Sequence, residues 1–248
     1  MKKRPLVELL LEQELANDLR EARGLIMAGK VLVSDRGKEQ KIDKPRHPVR
    51  EDVRLRVKGR KLPFVSRAGG KLDGALTTFG IDVTGWVCAD FGLSTGGFTD
   101  CLLQRGAARV HGVDVDYGRV HWSLRTDDRL VLHERTNARH LSPDAFGERV
   151  RLVVSDVSFI SLTLILPAAV NQLSPGGELV LLVKPQFELP AEKVPEGGIV
   201  SDPALRHEAV ERVVRAATSL GLSERGRADS EVRGTTGNQE ILLHLSMN

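Results

Sequence analysis

The segment ADFGLSTGGFTD, residues 89–100, places a glycine-rich turn between an apolar strand pattern and a helix pattern. Glycine lets the backbone turn sharply and approach a ligand without a Cβ clash. The N-terminus of the helix that follows offers unpaired N–H groups and a partial positive charge. The pattern Gly-x-Ser-x-Gly-Gly is neither the Gly-x-Gly-x-x-Gly of dinucleotide enzymes nor a P-loop, which needs a Lys-Ser/Thr pair. The segment therefore predicts either a site for a nucleotide-like ligand with an anionic group or a tight structural turn.

Alternating strand and helix patterns surround this turn from residue 64 onward. Strands are expected at 85–91, 109–115, 130–134, 152–156, 178–184 and 241–245. Helices are expected at 70–80, 97–106, 161–173 and 203–220. Alternating β and α units of this size predict a parallel sheet covered by helices on both faces. The last strand follows a long helix, and the sequence leaves open whether it is inserted antiparallel.

Asp114 stands at the end of the second expected strand, about 20 residues after the glycines. An acid in this place can accept hydrogen bonds from ribose hydroxyls, or it can cap a helix that begins before Tyr117. Together with the glycine-rich turn, it favours a nucleoside cofactor. Because the dinucleotide fingerprint is missing, NAD is disfavoured and S-adenosylmethionine is favoured.

Charge is divided unevenly along the chain. Residues 1–62 carry 17 Lys and Arg against 10 Asp and Glu, a formal charge of +7, and residues 63–248 carry 19 against 23, or −4. A basic first quarter on a mildly acidic body predicts either contact with a polyanion or an ordinary solvated surface.

The first sixty residues have a pattern of their own. Helices are expected at 6–15 and 18–28, and short strands at 31–33 and 53–57. In the second strand Val53, Leu55 and Val57 alternate with basic residues, as in a half-exposed strand with a basic outer face. Such a module is near the lower size limit for independent folding. We expect two domains, 1–60 and 61–248, with a linker at 58–61.

Composition bears on where the protein works. Cys88 and Cys101 lie in apolar segments without metal-ligand spacing, which predicts buried free thiols in a reducing compartment. The longest apolar run, around 159–170, is too short for a membrane span, and acids near the N-terminus argue against a signal peptide. The histidines also lack metal-ligand spacing. We expect a cytoplasmic protein that binds no metal and no membrane.

Five motifs of the chain resemble those of the TlyA family. They are FVSRAGGKL at 64–72, STGGFTD at 94–100, SDVSFIS at 155–161, VKPQFE at 183–188 and GGIV at 197–200. The resemblance covers nearly the whole chain and implies an S-four-type RNA-binding domain joined to an FtsJ-like methyltransferase domain. The implied fold class is α/β, a Rossmann-like S-adenosylmethionine-dependent methyltransferase domain with a small N-terminal α+β RNA-binding domain. The implied activity is ribose 2′-O-methylation of ribosomal RNA, typically of cytidine, with ribosomal subunits as partners. Members of the family also carry haemolysin names.

The resemblance further implies a Lys-Asp-Lys-Glu tetrad, which matches Lys71, Asp156, Lys184 and Glu240. A ribose 2′-hydroxyl is a poor nucleophile and must lose its proton as it attacks the methyl group. An amine can accept that proton if burial or another cation lowers its pKa towards the working pH. We expect Lys184 to act as the base, with Lys71 lowering its pKa and steadying the developing alkoxide. Asp156 would orient Lys184 beside the methyl donor, and Glu240 would orient Lys71 or the ribose; the alternative for each residue is a surface ion pair.

The remaining expected contacts form two sets. Cofactor contacts are expected from Gly92, Ser94, Thr95, Gly96, Gly97, Phe98, Asp114, Asn137 and Asp156, although Asn137 fits a turn residue equally well. RNA contacts are expected from Arg20, Arg23, Lys30, Arg54 and Arg56. Aromatic residues make up 4% of the chain and none precedes Phe64. Recognition of the shape and phosphates of structured RNA is therefore expected, rather than base stacking.

Two departures from the family pattern leave alternatives open. Leu93 stands where the family has a small residue, and it is expected to crowd the methionine end of the cofactor. The N-terminal module has Arg4-Pro5-Leu6 and Asp18-Leu19 in place of the family's usual motifs, which weakens the expected grip on RNA. The alternatives are a non-catalytic RNA-binding or ribosome-assembly protein and a membrane-active haemolysin. The intact tetrad argues against the first, and the lack of a strongly basic amphipathic helix argues against the second.

Overall fold

The computed structural model describes residues 3–13, 15–16, 18–35, 38–59, 63–232, 234 and 237–247, with the backbone alone for Lys38 and Arg54. Arg60 and Lys61 of the predicted linker lie outside the described residues, as do Asn17, Arg36 and Gly37.

An N-terminal α+β module is formed by two helices and short antiparallel strands. In chain order the elements are β1 (Lys3–Pro5), α1 (Leu6–Glu12), α2 (Leu19–Met27), β2 (Val31–Asp35), β3 (Lys38–Lys41), β4 (Pro48–Arg50) and β5 (Arg54–Val57). β2 lies between β3 and β5, and β1 pairs with β4. Asp18 accepts the N–H of Glu21 at 2.8 Å, which begins α2 where the sequence predicts a cap. Leu10, Ile26 and Val33 are buried in a core that belongs to this module alone.

A seven-stranded sheet forms the rest of the molecule. Its strands are β6 (Val87–Phe91), β7 (Arg109–Val113), β8 (Leu130–His133), β9 (Val150–Ser155), β10 (Leu173–Val183), β11 (Leu222–Asp229) and β12 (Ile241–Met247). The helices are α3 (Ala68–Phe79), α4 (Gly97–Gln104), α5 (Trp122–Arg125), α6 (Leu166–Gln172), α7 (Pro185–Glu188) and α8 (Pro203–Ser219). The strand order is β11-β12-β10-β9-β6-β7-β8. The five strands from β10 to β8 in that order are parallel, and β12 is antiparallel to both of its neighbours.

Both faces of this sheet are covered, as the sequence predicts. In β10, Val180 and Leu182 belong to one hydrophobic cluster, and Leu179 and Leu181 belong to another. Alternate residues of a strand point to opposite faces, so the two clusters are the cores above and below the sheet. Cys88 and Cys101 are buried free thiols, which confirms the expectation for the cysteines.

Several elements differ from the sequence-based expectation: β1, β3, β4, α5 and α7 were not predicted, and two further differences have a clear physical reason. The sequence did not predict β11, because its residues include Glu224, Arg225 and Arg227 and it lies at the sheet edge with β12 as its single neighbour. The helix expected at 161–173 is divided into a 3-10 turn at Leu162–Leu164 and α6. Pro167 causes the division, because its ring and missing N–H are tolerated only in the first turn of a helix. The open question of the last strand is settled as antiparallel.

The carboxyl ends of four parallel strands meet at one edge of the sheet. β6 runs into the glycine-rich turn, β7 into Asp114, β9 into Asp156 and β10 into Lys184. Open α/β sheets bind ligands at this edge. The fold therefore brings together the residues that the sequence separates by up to about ninety positions.

Candidate active site

The glycine-rich turn adopts a backbone that larger residues resist. Gly92 and Gly96 have φ angles of 88° and 97°, in the left-handed region that favours glycine. A Cβ on Gly96 would lie 2.3 Å from Leu124 Cδ1, and a Cβ on Gly92 would lie 3.0 Å from the carbonyl oxygen of Asp156. The turn thus lies directly against the segment that carries the tetrad acid.

Two carboxylates hold the turn in place. Asp114 Oδ2 accepts the N–H of Ser94 at 2.6 Å. Asp90 Oδ2 accepts the N–H and the hydroxyl of Thr99 at 3.0 and 2.8 Å, which ties β6 to α4. Burial raises the pKa of Asp90 to about 7, against the opposing effect of the Thr99 hydrogen bonds. The sequence analysis did not predict a role for Asp90. An acid inside an apolar strand next to the turn could have indicated that role.

Leu93 lines the cavity at the glycine-rich turn and also packs into the core. Its side chain is 2% exposed and belongs to the core cluster on one face of the sheet. A Cβ on Gly112 of β7 would lie 2.7 Å from Leu93 Cδ2, so the glycine leaves the room that the leucine fills. Gly112 therefore makes room in the core for part of the bulk at position 93, and the expected crowding of the methionine end of the cofactor stays a prediction.

A cavity of about 640 Å³ opens beside the turn at the carboxyl edge of the sheet. Its walls include eight of the expected cofactor residues: Gly92, Ser94, Thr95, Gly97, Phe98, Asp114, Asn137 and Asp156. Gly96 belongs to the turn but does not line the cavity. Lys184 lines the cavity, whereas Lys71 and Glu240 lie behind it. This volume is in the range of pockets that enclose a nucleoside-sized ligand.

The four tetrad residues form two ion pairs. Lys184 Nζ lies 2.6 Å from Asp156 Oδ1, and each side chain is 11% exposed. Lys71 Nζ donates to Glu240 Oε2 at 2.7 Å, with side chains 8% and 4% exposed. α3, the ends of β9 and β10, and the segment before β12 each supply one member. These pairs are buried, so they are not the surface ion pairs that were the alternative.

Electrostatic effects join the two pairs into one cluster. Burial raises the pKa of Asp156, but the charges of Lys184 and Lys71 outweigh it, and the pKa lies below its ordinary value. Burial raises the pKa of Glu240, and the charge of Lys71 opposes this effect without cancelling it. Asp156 is therefore held in its ionised form beside Lys184.

Asn137 lines the cavity and also has a local structural role. Its side-chain oxygen accepts the N–H of Arg139 at 3.0 Å, which caps a 3-10 turn at Ala138–His140. The two interpretations of Asn137 given by the sequence are therefore compatible.

The sequence reading missed three residues beside the tetrad. Ser158 Oγ accepts a hydrogen bond from Lys184 Nζ at 2.7 Å. Glu188 is buried and accepts the Ser161 hydroxyl at 2.5 Å and the Leu162 N–H at 2.8 Å. Phe159 is 90% exposed at the cavity rim, with a φ of 64° and its ring centroid 5.2 Å from that of Phe187. All three belong to the SDVSFIS and VKPQFE motifs. Because these motifs extend beyond the tetrad residues, they could have indicated that neighbouring residues also matter.

The candidate RNA contacts lie on the N-terminal module. Arg20, Arg23 and Lys30 are exposed. Arg56 is also exposed, and its guanidinium lies 3.0 Å from Glu39 Oε1. The side chain of Arg54 is outside the described part of the structure.

The described part of the chain shows neither a metal-binding group nor a membrane-spanning helix. In the described part of the chain, no three or more His, Cys, Asp or Glu side chains are grouped so that they could hold a metal ion. Among the helices of the same residues, none has the length and apolar character required to cross a membrane.

The sheet order, the glycine-rich turn and the acid after the second strand define a Rossmann-like methyltransferase. An N-methyltransferase from Bradyrhizobium japonicum, solved with S-adenosyl-L-homocysteine, shares the fold at a TM-score of 0.52 and 17% identity over 72% of this chain and 86% of its own. Residues 64–247 match the FtsJ-like methyltransferase family. The chain belongs to that family and, within it, to the TlyA family.

Two relatives support this assignment over nearly the full length. The chain is 46% identical to the 16S/23S rRNA (cytidine-2′-O)-methyltransferase TlyA of Mycobacterium tuberculosis, over 95% of this chain and 87% of the relative. It is 37% identical to Hemolysin A of Brachyspira hyodysenteriae, over 90% and 92%. A solved chain from Streptococcus thermophilus that carries a hemolysin name matches with a TM-score of 0.85 and 39% identity, over 100% of this chain and 90% of that one.

Proposed function

We propose that the protein transfers a methyl group from S-adenosylmethionine to the ribose 2′-hydroxyl of a cytidine in ribosomal RNA. The observation that carries the proposal is the buried Lys184–Asp156 pair on the cavity wall, backed by the Lys71–Glu240 pair. The M. tuberculosis relative, which is named as a methyltransferase of 16S and 23S rRNA, supports the choice of substrate.

The residues around the cavity fit S-adenosylmethionine. The glycine-rich turn leaves a cradle that a Cβ at Gly92 would fill, and Asp114 lies where a ribose acceptor is needed. Bound there, S-adenosylmethionine supplies an electrophilic methyl group. We assign the glycine-rich turn, Asp114 and Asn137 to cofactor binding. The carboxylate of Asp156 is assigned to the part of the cofactor site nearest Lys184.

Lys184 acts as the base in this proposal. Its Nζ is within 2.6 Å of Asp156, which keeps the amine pointed at the cavity. Lys71 adds a second positive charge, which steadies the developing alkoxide. Glu240 orients Lys71 through the hydrogen bond of 2.7 Å. Alignment of the hydroxyl with the methyl group contributes the rest of the rate.

Methyl transfer to ribosomal subunits tests the proposal. Subunits from a host that lacks the enzyme are incubated with labelled S-adenosylmethionine and the protein, and the nucleosides are then analysed. Lys184→Ala should lower transfer by about 100-fold or more. Lys193→Ala is the matched control, because Lys193 is an exposed lysine paired with Glu208 at 2.6 Å. If no rRNA is labelled, the proposed function is refuted. If Lys184→Ala transfers methyl groups as well as the unaltered protein, the assignment of Lys184 as the base is refuted.

The basic N-terminal module is assigned to phosphate contacts on the same RNA. Replacing Arg20, Arg23 and Lys30 by Gln should weaken RNA binding and reduce the slope of log K against log salt by about 2–3. Filter binding over a salt series measures this slope. A slope that is unchanged in the triple variant would contradict the assignment.

A further inference from the structure

The hydroxyl of Ser158 touches the proposed base from outside the tetrad. Lys184 Nζ donates to Ser158 Oγ at 2.7 Å. Lys184 is 9% exposed, whereas Ser158 is exposed and lines the cavity. Ser158 thus links the amine to solvent through a hydrogen bond, at the cavity wall that Lys184 also lines.

The other ionisable groups of the cluster are already engaged by partners of their own. Asp156 faces it from the end of β9 and is held ionised, with a pKa below its ordinary value, because the two lysines outweigh the effect of burial. Lys71 faces the cluster from α3 and is itself a cation, and Glu240 is engaged by Lys71 at 2.7 Å. Glu188, on α7, accepts from Ser161 and the Leu162 N–H.

The segment that carries Ser158 is held rigidly. Glu188 fixes its far end through Ser161 and Leu162, at 2.5 and 2.8 Å. Phe159, the next residue, has a φ of 64°, a conformation that costs free energy for a residue with a side chain. Strain of this kind persists where the surrounding contacts enforce it, and here it fixes the hydroxyl at hydrogen-bonding distance from the amine.

We propose that Ser158 passes to solvent the proton that Lys184 takes from the ribose hydroxyl, an inference that rests on the proposed function. In the transfer step the 2′-O–H bond breaks and an N–H bond forms on Lys184, while the O–CH₃ bond forms and the S–CH₃ bond breaks. Lys184 then gives a proton to Ser158 Oγ as the hydroxyl's own proton passes to water. One proton reaches solvent for each methyl group transferred.

The test follows methyl transfer and proton release separately in a single turnover, with enzyme in excess over ribosomal subunits and a pH indicator in weak buffer. In Ser158→Ala, proton release should lag behind methyl transfer by about tenfold or more. Added imidazole should remove the lag, and Ser158→Thr should show none. Ser219→Ala is the control, because its hydroxyl bonds the Arg215 carbonyl at 3.0 Å on α8.

Three outcomes overturn the proposal. Proton release that keeps pace with methyl transfer in Ser158→Ala removes the relay. Equal slowing of both events makes Ser158 only an anchor for Lys184. A calorimetric Kd for S-adenosylmethionine that rises by about tenfold or more in Ser158→Ala assigns the serine to the cofactor site. Absence of methyl transfer by the unaltered protein is a separate result, which refutes the proposed function itself.

Discussion

Replacing Lys71 by Met should destabilise the protein by an amount that grows with pH. The substitution leaves the carboxylate of Glu240 buried without the amine that lies 2.7 Å from it. Breaking a buried ion pair in this way costs about 3–5 kcal/mol, which corresponds to a fall in Tm of about 6–20 °C for a chain of this size.

The pH dependence follows from the direction of the Glu240 pKa shift. Burial raises this pKa in the folded protein, and Lys71 opposes the rise. Without Lys71 the folded-state pKa lies still higher. A carboxyl group with a raised folded pKa loses stability as pH rises from its unfolded pKa through its folded pKa. The loss should therefore be smaller at about pH 5 than at about pH 8, because a lower pH favours protonated Glu240.

Thermal unfolding of four proteins at both pH values measures the effect. Glu240→Gln in combination with Lys71→Met should restore most of the Tm at about pH 8, because no charge is left buried. Lys193→Met, which breaks an exposed pair with Glu208, should change stability by less than about 1 kcal/mol. An equal Tm loss at both pH values, with no recovery in the double variant, would refute the reasoning.

Three further substitutions test the turn and its supports. Asp114→Asn should raise the Kd for S-adenosylmethionine about 10–100-fold by calorimetry, because a charged acceptor is lost, and an unchanged Kd would contradict the binding role. Gly96→Ala should lower stability by about 1–3 kcal/mol in denaturant unfolding, because the new Cβ meets Leu124 Cδ1 at 2.3 Å; a neutral result would contradict the close packing. Asp90, whose pKa is raised from 3.8 to about 7, costs stability increasingly as pH rises across that interval. Asp90→Asn should therefore become more stable than the unaltered protein towards high pH, and a constant difference in Tm would argue against the raised pKa.

Much of the site could be predicted because short-range signals mark it. The turn at 92–97 needs glycine for backbone reasons, and Asp114, Asp156 and Lys184 each follow a buried strand whose pattern is readable. Parallel strands bring their carboxyl ends together, so their neighbourhood follows from topology.

The rest depends on pairings that sequence patterns do not carry. Ser158 bonds Lys184 from 26 residues away, and Ser161 bonds Glu188 from 27 residues away, both across neighbouring strands. The space that Gly112 on β7 leaves for Leu93 is another contact between separate elements that a sequence pattern does not show. The strand β11 was missed because an edge strand with charged residues lacks the apolar pattern that marks a buried one.

The Lys71–Glu240 pair has a consequence for synthesis. The two residues are 169 positions apart, on the first helix of the sheet domain and just before its last strand. On a ribosome the chain emerges from its N-terminus, and a long-range contact of this kind forms only after the intervening segment has folded. A nascent chain that already displays the basic module and the cofactor turn still lacks Glu240. The proposed tetrad is therefore complete only after residue 240 has left the ribosome, which limits methylation by nascent chains that have not yet reached it.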